Sequence, residues 1–207
     1  PLDENNLIDI KKALLINNSF EESLNIWAYL YERDQIDIKN FLTFVPHISF
    51  VNNVKDVAFL KKRYELMKKC REFKDMEFTS SYEEINNWSP LIIKDRDKKQ
   101  KIAATRIKRG TDINFEALTR EYFKYLSTKS NVEISYNTNL LNLKRIKNHK
   151  WELYVNKDGN KRILKANFVF IGAGGKTINL LQKSNIPESK NYGGFPVSGK
   201  WLISENQ

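Results

Sequence analysis

The chain has 207 residues, of which 41% are hydrophobic and 12% aromatic, a composition ordinary for a globular protein with a buried core. The formal net charge is +10, but the basic residues form short groups interrupted by acids, and no recognised nucleic-acid motif accompanies them. We interpret the excess as solvated surface lysine or as attraction to an anionic membrane or small carboxylate, and expect no nucleic-acid partner.

Simple counts lead us to expect no membrane span, signal peptide, disulfide or metal site in this sequence. No apolar run approaches the length of a membrane span, and the first residues lack the basic and apolar regions of a signal peptide. Cys70 is the single cysteine, so no intrachain disulfide can form. With only His47 and His149 as imidazoles, the sequence offers no Cys/His cluster with metal-ligand spacing. We therefore expect no metal site.

The first third of the chain has helical periodicity. Apolar residues recur at helical spacing from Asn6 to Arg33, with a possible break at residues 17–19. Residues 41–51 are β-branched and aromatic, which predicts two short strands or one edge strand kinked at Pro46. A helix capped by Asn53 follows and is predicted to run to about residue 73.

The middle of the chain combines caps, turns and one strand. Ser80 and Glu83 have capping-box spacing, which predicts a short helix ending at Trp88. The charged residues 94–101 indicate an exposed turn. Residues 102–107 are predicted to form a strand, and residues 110–112 a turn whose Thr111 and Asp112 cap a helix over 115–127.

Four strands and a hairpin turn are predicted after this helix. Asn156 to Gly159 is the hairpin turn, so the middle strands should be antiparallel. The predicted strands cover residues 132–136, 140–146, 151–155 and 162–171.

The end of the last strand is the most informative segment. Residues 168–171 are apolar without alternation, which predicts a strand covered on both faces in a parallel sheet. Gly172, Gly174 and Gly175 follow, but Thr177 stands where a dinucleotide fingerprint has its third glycine. A phosphate-binding turn and a plain strand-to-helix turn both remain open.

Several motifs, in collinear order, resemble one family. The chain resembles malate:quinone oxidoreductase at VPHISFV (45–51), AATR (103–106), GTDINF (110–115), LTR (118–120), FVFIGAGG (168–175), IPES (186–189) and GGFPVSG (193–199). The resemblance implies a flavoprotein of the D-amino-acid-oxidase-like group that holds FAD non-covalently. Its partners would be malate, oxidised to oxaloacetate in the tricarboxylic acid cycle, and a membrane quinone. It would lie peripherally on the cytoplasmic face of a bacterial inner membrane or on a mitochondrial inner membrane.

The resemblance also implies a fold class and a domain organisation. The family's first nucleotide-binding turn is absent, so the resemblance implies an internal fragment that binds FAD poorly and is inactive alone. We expect an α/β class of mixed α+β character: a partial doubly wound FAD-binding domain with a β-meander, and part of a helix-and-sheet substrate domain. Residues 1–40 would be a helical segment at the FAD/substrate interface, 41–110 substrate domain, 111–185 FAD-binding domain, and 186–207 a return into the substrate domain.

Two residues in the matched motifs are candidates for catalysis. His47 is the only imidazole in them that can take the hydroxyl proton of a 2-hydroxy acid; a structural histidine on an edge strand is the alternative. Arg106 ends a strand and can clamp a carboxylate. Its alternative is a salt bridge with Asp112 or Glu116.

The cofactor-binding candidates come from the glycine turn and one strand. In related flavoproteins the matching strand offers main-chain groups to the adenine, which nominates Leu140. Lys176 departs from the family, which has a small residue there. The turn candidates are Gly172, Ala173, Gly174 and Gly175.

Two other functions remain open. One is another FAD-dependent 2-hydroxy-acid or amino-acid dehydrogenase or oxidase of the same fold. The other is a non-enzymatic basic module that binds a membrane surface or nucleic acid.

Overall fold

The chain folds into two compact units that divide between Val132 and Glu133. The computed structural model describes residues 8–194, 197 and 199. Helices and antiparallel sheets are both present, so the mixed α/β class is confirmed. The observed division falls inside the predicted 111–185 segment, and the finer domain limits stay a prediction.

In the described part of the first unit, five α-helices begin at side-chain or proline start signals. The side chains of Asp9, Asn53, Ser81 and Asn114 each accept a hydrogen bond from a first-turn backbone N–H. The helices are α1 (Ile10–Tyr31), α2 (Val54–Met67), α3 (Tyr82–Trp88), α4 (Pro90–Ile93) and α5 (Phe115–Ser127).

Three helix predictions differ in detail from the structure, one of them being α2, which ends at Met67 and not near residue 73. The predicted break at residues 17–19 is wrong, because α1 is continuous. Ala13 and Trp27, on either side of these polar residues, are buried in separate core clusters, and this packing overrides the weak local propensity. The predicted capping box is displaced by one residue, since Ser81 accepts the bond from Glu84 N–H. The predicted helix start at residues 6 and 7 lies outside the described residues.

Residues 8–132 of the first unit contain two small antiparallel sheets. One pairs β1 (Leu42–Phe44) with β5 (Thr111–Ile113), and the other has the order β2 (His47–Val51), β4 (Ala103–Ile107), β3 (Glu77–Thr79). Of the two predicted alternatives, the one with two short strands is confirmed, because β1 and β2 are separate strands in different sheets with Pro46 between them.

The predicted turn and caps at residues 110–112 are wrong. Thr111 and Asp112 lie in β5 opposite Phe44 and Thr43. Asn114 caps α5 instead, and its backbone N–H donates to the Phe41 carbonyl at 2.8 Å. Pairing with β1, which is distant in sequence, decided the conformation of this segment.

Three apolar clusters hold the first unit together. In one of them the Trp27 Nε1–H donates to Tyr122 Oη at 2.8 Å, and the indole packs edge-on against Phe41. The buried members of the clusters are Ala13, Met67, Phe73 and Met76; Trp27, Ile36, Phe41 and Leu118; and Ile85, Ile102 and Ala104.

The described part of the second unit is a three-stranded meander with one α-helix. The strands β6 (Thr138–Arg145), β7 (Trp151–Lys157) and β8 (Asn160–Ala166) pair in chain order, and α6 covers Thr177–Lys183. Asp158 and Gly159 turn the hairpin with positive φ angles of 49° and 87°. The predicted meander and hairpin are confirmed, whereas the strand predicted over residues 132–136 is absent.

The predicted buried strand over residues 168–171 is not formed. β8 ends at Ala166, and the side chains of Phe168 and Phe170 are 79% and 85% exposed. All described strand pairs are antiparallel, so no described strand lies parallel to this segment. An apolar segment forms a covered strand only where neighbouring strands satisfy its backbone groups. The predicted return over 186–207 lies partly outside the described residues.

Candidate functional site

A bend between two antiparallel strand pairs sets the position of His47. Val45 and Pro46 separate β1 from β2, and residues 108–110 separate β4 from β5. Proline lacks a backbone donor, so the ladder is interrupted there. Across the bend, the Val45 backbone N–H donates to the Gly110 carbonyl at 3.1 Å. The bend joins the two ladders and makes His47 the first residue of β2.

Gly110 lies directly against the backbone that carries His47. A Cβ atom at this position would lie 2.2 Å from the Val45 oxygen and 2.7 Å from the His47 nitrogen. Both distances are far inside van der Waals contact, so only a residue without a side chain fits. The glycine of the GTDINF motif therefore allows the two strand pairs to approach.

One face of the central sheet carries His47 and two hydroxyl side chains. His47 lies opposite Ile107, and Ser49 lies opposite Thr105. Alternate residues of a strand share a face, so these four side chains lie on the same side. Ile107 packs against the core cluster that α1 and α2 line. This face therefore points toward those two helices.

A cavity of about 410 Å³ is bounded by this face and by α1 and α2. Arg63 and Arg109 are its cationic lining residues, and His47 is exposed beside them. No aspartate or glutamate is among the described residues that line it. The cavity is therefore electropositive. Its apolar walls come from Ile16, Phe20, Met67, Phe73, Met76 and Ile107.

Arg106 lies on the opposite face of the same sheet. It is opposite Ile48 on β2 and Glu77 on β3. Its Nη2 and Nε atoms are both 2.6 Å from the Oε2 atom of Glu77, and its guanidinium stacks 4.4 Å from the ring of Trp88. The structure does not bring Arg106 together with His47.

Arg106 does form a salt bridge, as the alternative predicted, but its partner is neither Asp112 nor Glu116. Asp112 lies in β5 opposite Thr43, and Glu116 forms its ion pair with Arg120. The partner is Glu77, which is 29 residues away in sequence. Strand pairing supplied a carboxylate that local spacing could not indicate.

The ion pair changes the acidity of Glu77. The hydrogen bond from Arg106 lowers the pKa of this carboxyl below its ordinary value of 4.5, and burial opposes the change. Lys108, whose Nζ lies 3.4 Å from Oε1, lowers the pKa further. The carboxylate is therefore ionised at neutral pH and holds two cations on the outer face of the sheet.

The predicted cofactor turn lies in the second unit and leads into α6. Gly172 and Ala173 are outside regular structure, and a 3₁₀ turn begins at Gly174, whose φ is +52°. A Cβ atom at Gly174 or Gly175 would meet nothing within 4 Å. Lys176 ends the 3₁₀ turn with an exposed side chain. The turn is thus open beside these glycines.

Leu140 lies in the strand against which α6 packs. It is half-buried opposite Val155, and the register of β6 shifts between Leu140 and Asn142. Lys183 of α6 donates its Nζ–H to the Leu141 carbonyl at 2.8 Å. The structure therefore brings Leu140 and the glycine turn into one unit, and places His47 and Arg106 in the other.

Metal-binding clusters and membrane-spanning helices are both absent from the described part of the chain. It contains no group of three or more His, Cys, Asp or Glu residues arranged to hold a metal ion. None of its helices combines the length and apolar character that a membrane crossing requires.

Comparison with known proteins gives the family. The family model described as Malate:quinone oxidoreductase (Mqo) matches residues 1–207. The chain belongs to the malate:quinone oxidoreductase family. The resemblance carried by the motifs is therefore confirmed.

Relatives within this family come from Prochlorococcus marinus, and each is named probable malate:quinone oxidoreductase. The protein of strain MIT 9515 is 60% identical over 205 residues, which cover 99% of this chain and 41% of the relative. The protein of strain MIT 9301 is 58% identical over 207 residues, which cover 100% of this chain and 42% of the relative. The protein of strain MIT 9211 is 46% identical over 203 residues, which cover 98% of this chain and 41% of the relative. The chain thus spans about two fifths of the length of these malate:quinone oxidoreductase relatives.

Sequence reasoning missed three residues that line the cavity of this malate:quinone oxidoreductase family member. Ser49 had a signal, because it lies two residues after His47 and period-two alternation puts both on one face. Arg63 had a weaker signal, as an arginine within the apolar stripe of α2. Arg109 had none, because only the folding of the strand bend brings it to the cavity.

Proposed function

We propose that this chain supplies the substrate-binding region and part of the flavin-binding region of a malate:quinone oxidoreductase. The enzyme would oxidise (S)-malate to oxaloacetate with FAD and pass the electrons to a membrane quinone in the tricarboxylic acid cycle. The observation that carries the proposal is the electropositive cavity beside His47, bordered by two family motifs in a chain that matches the family over all its residues. The activity is assigned to the full-length gene product.

His47 is the proposed base. Oxidation at C2 of a 2-hydroxy acid requires a group that accepts the hydroxyl proton. Among the described residues His47 is the only imidazole that lines the cavity, and neither ring nitrogen has a hydrogen-bond partner there. An imidazole nitrogen can therefore accept this proton without breaking a bond in the fold.

Arg106 is assigned to positioning in this proposal. Its guanidinium is already bound by Glu77 and stacked on Trp88, on the face away from His47. A catalytic role would require Arg106 to leave both contacts. We expect it to align β4, and thereby Thr105, at the cavity.

The residues of the second unit fit one part of a flavin site. The open space beside Gly174 and Gly175 allows backbone amides to approach a pyrophosphate, together with Gly172 and Ala173. The register shift after Leu140 interrupts the ladder and leaves main-chain groups for an adenine. When bound, FAD would supply the acceptor for the hydride from C2.

We propose that the chain alone binds FAD weakly and does not turn over malate. The segment over residues 168–171, which should precede the glycine turn as a covered strand, is irregular and exposed here. A turn whose preceding strand is absent is not held in one conformation for a phosphate. Mixing the purified chain with FAD and following flavin fluorescence tests this: stoichiometric binding would contradict it.

We also propose peripheral association with a membrane surface, at the cytoplasmic face of a bacterial inner membrane or at a mitochondrial inner membrane. The quinone partner resides in a membrane, and the net charge of +10 favours anionic lipid. Co-sedimentation with vesicles rich in anionic lipid should fall steeply as salt rises, because surface charge is screened. Equal binding to neutral vesicles would contradict the electrostatic origin.

The main experiment measures turnover of the full-length gene product. With FAD present, malate should reduce a quinone analogue, and lactate, 2-hydroxyglutarate and amino acids should be poorer substrates. His47→Asn should lower kcat by a factor of about 10² to 10⁴, the usual contribution of a general base. His149→Asn, which changes an exposed imidazole of the second unit, is the control. Preference for another substrate, or turnover unchanged by His47→Asn, would overturn the proposal.

A further inference from the structure

Arg63 is a half-buried cation that has no anionic partner among the described residues. Within the part of the chain that the structure describes, its guanidinium has neither an ion pair nor a hydrogen bond. The residues three and four positions away on α2 are Phe59, Leu60, Leu66 and Met67, all apolar, so no pair along the helix is available. Partial removal of a guanidinium from water without an anion is unfavourable. An anionic ligand would relieve this cost.

Two hydroxyl groups line the same cavity as Arg63. Thr105 is only 5% exposed, and Ser49 is half-buried opposite it on β2. Neither hydroxyl has a hydrogen-bond partner among the described residues. A hydroxyl that faces a cavity and makes no bond within the fold can donate to a bound anion, so these two donors are available for the oxygens of one.

Arg109 adds a second guanidinium to the cavity lining, and its side chain is more exposed than that of Arg63. It comes from the connection between β4 and β5. Among the residues that the structure describes, its one ion pair is with Asp75 at 3.8 Å, between side chains that are 71% and 61% exposed. A long, exposed pair of this kind contributes little to stability. Arg109 can therefore exchange Asp75 for a ligand at low cost.

The charge and size of the cavity restrict the ligand. No carboxylate among the described lining residues neutralises the two arginines. The apolar walls lower the local dielectric and strengthen their attraction for anions. A volume of about 410 Å³ suits a small molecule. Two guanidinium groups from different elements match a ligand with two anionic ends.

We propose that Arg63 and Arg109 each bind one carboxylate of a short aliphatic dicarboxylate, Arg63 at the inner end and Arg109 at the outer end. The assignment deepens the proposed function, and rests on it for the identity of the substrate. Guanidinium groups bind carboxylates through paired hydrogen bonds. A 2-hydroxy acid with a single carboxylate leaves one arginine without a partner, so the pair selects against it.

The test uses the 207-residue chain and a ligand that cannot react. Succinate has two carboxylates and no hydroxyl to oxidise; butyrate has the same carbon number and one carboxylate. Both are titrated calorimetrically at constant ionic strength. We expect saturable binding of succinate that is tighter than that of butyrate. Arg63→Gln should weaken it about ten-fold or more and Arg109→Gln by a smaller factor.

Lys62→Gln is the matched control, because Lys62 is exposed on the same helix, does not line the cavity and carries the same charge. It should change succinate affinity less than two-fold, roughly the scale of a remote exposed charge. Equal weakening by Arg63→Gln and Lys62→Gln would overturn the assignment. So would equal affinity for succinate and butyrate, or no saturable binding of succinate by the folded chain.

Kinetics separate this inference from the proposed function. In the full-length gene product, Arg63→Gln should raise the KM for malate more than it lowers kcat. Succinate should inhibit competitively. If the gene product does not oxidise malate while succinate binding still depends on Arg63, the proposed function fails and the dicarboxylate site stands. If it oxidises malate and Arg63→Gln changes neither KM nor succinate binding, the site fails alone.

Discussion

Arg106 and Glu77 form an ion pair across β4 and β3, with Nη2 and Nε of the arginine both 2.6 Å from the same carboxylate oxygen. The pair lies on the sheet face opposite His47, so its expected contribution is to stability. Arg106→Met should lower the free energy of unfolding by about 1 kcal/mol, allowing for the partial exposure of the pair. Urea unfolding at neutral pH measures this.

A double-mutant cycle with Glu77→Gln is the control for this prediction. If the two residues act on each other, the double variant should lose less stability than the sum of the single variants. A catalytic clamp predicts something different: Arg106→Met would leave unfolding unchanged and abolish malate turnover in the full-length gene product. That outcome would contradict the positioning role.

Glu121 connects α5 to the segment after α1 through hydrogen bonds, and its contribution to the stability of the fold should depend on pH. The Asp37 backbone N–H donates to Oε2 at 2.8 Å, and the Asn40 side chain donates to Oε1 at 2.8 Å. The Asp37 bond, then the Asn40 bond, lower the pKa of Glu121 below its ordinary value of 4.5. A carboxyl with a lowered folded pKa stabilises the fold above its unfolded pKa. This contribution is lost as pH falls through the folded pKa.

Glu121→Gln should therefore destabilise the chain at neutral pH by about 2 kcal/mol, the scale of hydrogen bonds to a buried charged group. The difference from the unsubstituted chain should shrink as pH falls below 4.5, because the wild-type carboxyl becomes neutral too. Urea unfolding over a series of pH values checks both parts. Glu116→Gln, on the exposed face of the same helix, should lower the free energy of unfolding by less than Glu121→Gln does. A pH-independent difference would show that charge is not involved.

Gly110→Ala tests the bend that positions His47. The added Cβ atom would overlap the Val45 carbonyl oxygen at 2.2 Å, so the two strand pairs must separate. We expect the free energy of unfolding to fall by about 2 kcal/mol or more. The NMR signal of the His47 imidazole should also change. Gly175→Ala is the matched control, because its Cβ would meet nothing within 4 Å and its φ lies outside the strained range. Equal effects of both substitutions would contradict the packing explanation.

The exposed segment around Phe168 and Phe170 should make the isolated chain bind a hydrophobic dye. Contiguous exposed apolar side chains form the surface that such dyes recognise. Replacing both phenylalanines by asparagine should reduce dye fluorescence, whereas Phe115→Asn, which removes an exposed ring on α5, should change it little.

In a polypeptide that carries this chain with the further length found in its relatives, we expect slower amide exchange at residues 169–171. Unchanged exchange would contradict the predicted covered strand.

Local signals in the sequence were sufficient for most helices and for the meander. Asn53 caps α2 as predicted, and the Asp158–Gly159 hairpin pairs its strands in the expected antiparallel sense. Each depends on neighbouring side chains and on the conformational freedom of a few residues. Such features need no information from distant parts of the chain.

Predictions that depended on distant partners were less successful. Thr111 and Asp112 have the composition of a capped turn, yet they pair with β1. The apolar segment over residues 168–171 has the composition of a buried strand, yet no described strand pairs with it. Backbone hydrogen bonds to another strand decide both cases, and the identity of that strand is not encoded within the segment.

The same distinction between local signals and distant partners applies to the candidate site. The motif VPHISFV was sufficient, as a sequence, to nominate His47, and family resemblance was sufficient to nominate the glycine turn. Only the tertiary structure showed that Arg106 binds Glu77 on the far face, and that Arg63 and Arg109 line the cavity beside His47. Sequence determines which chemical groups are available. Strand register and helix packing decide which of them meet, because a shift of one residue moves a side chain to the opposite face of a sheet.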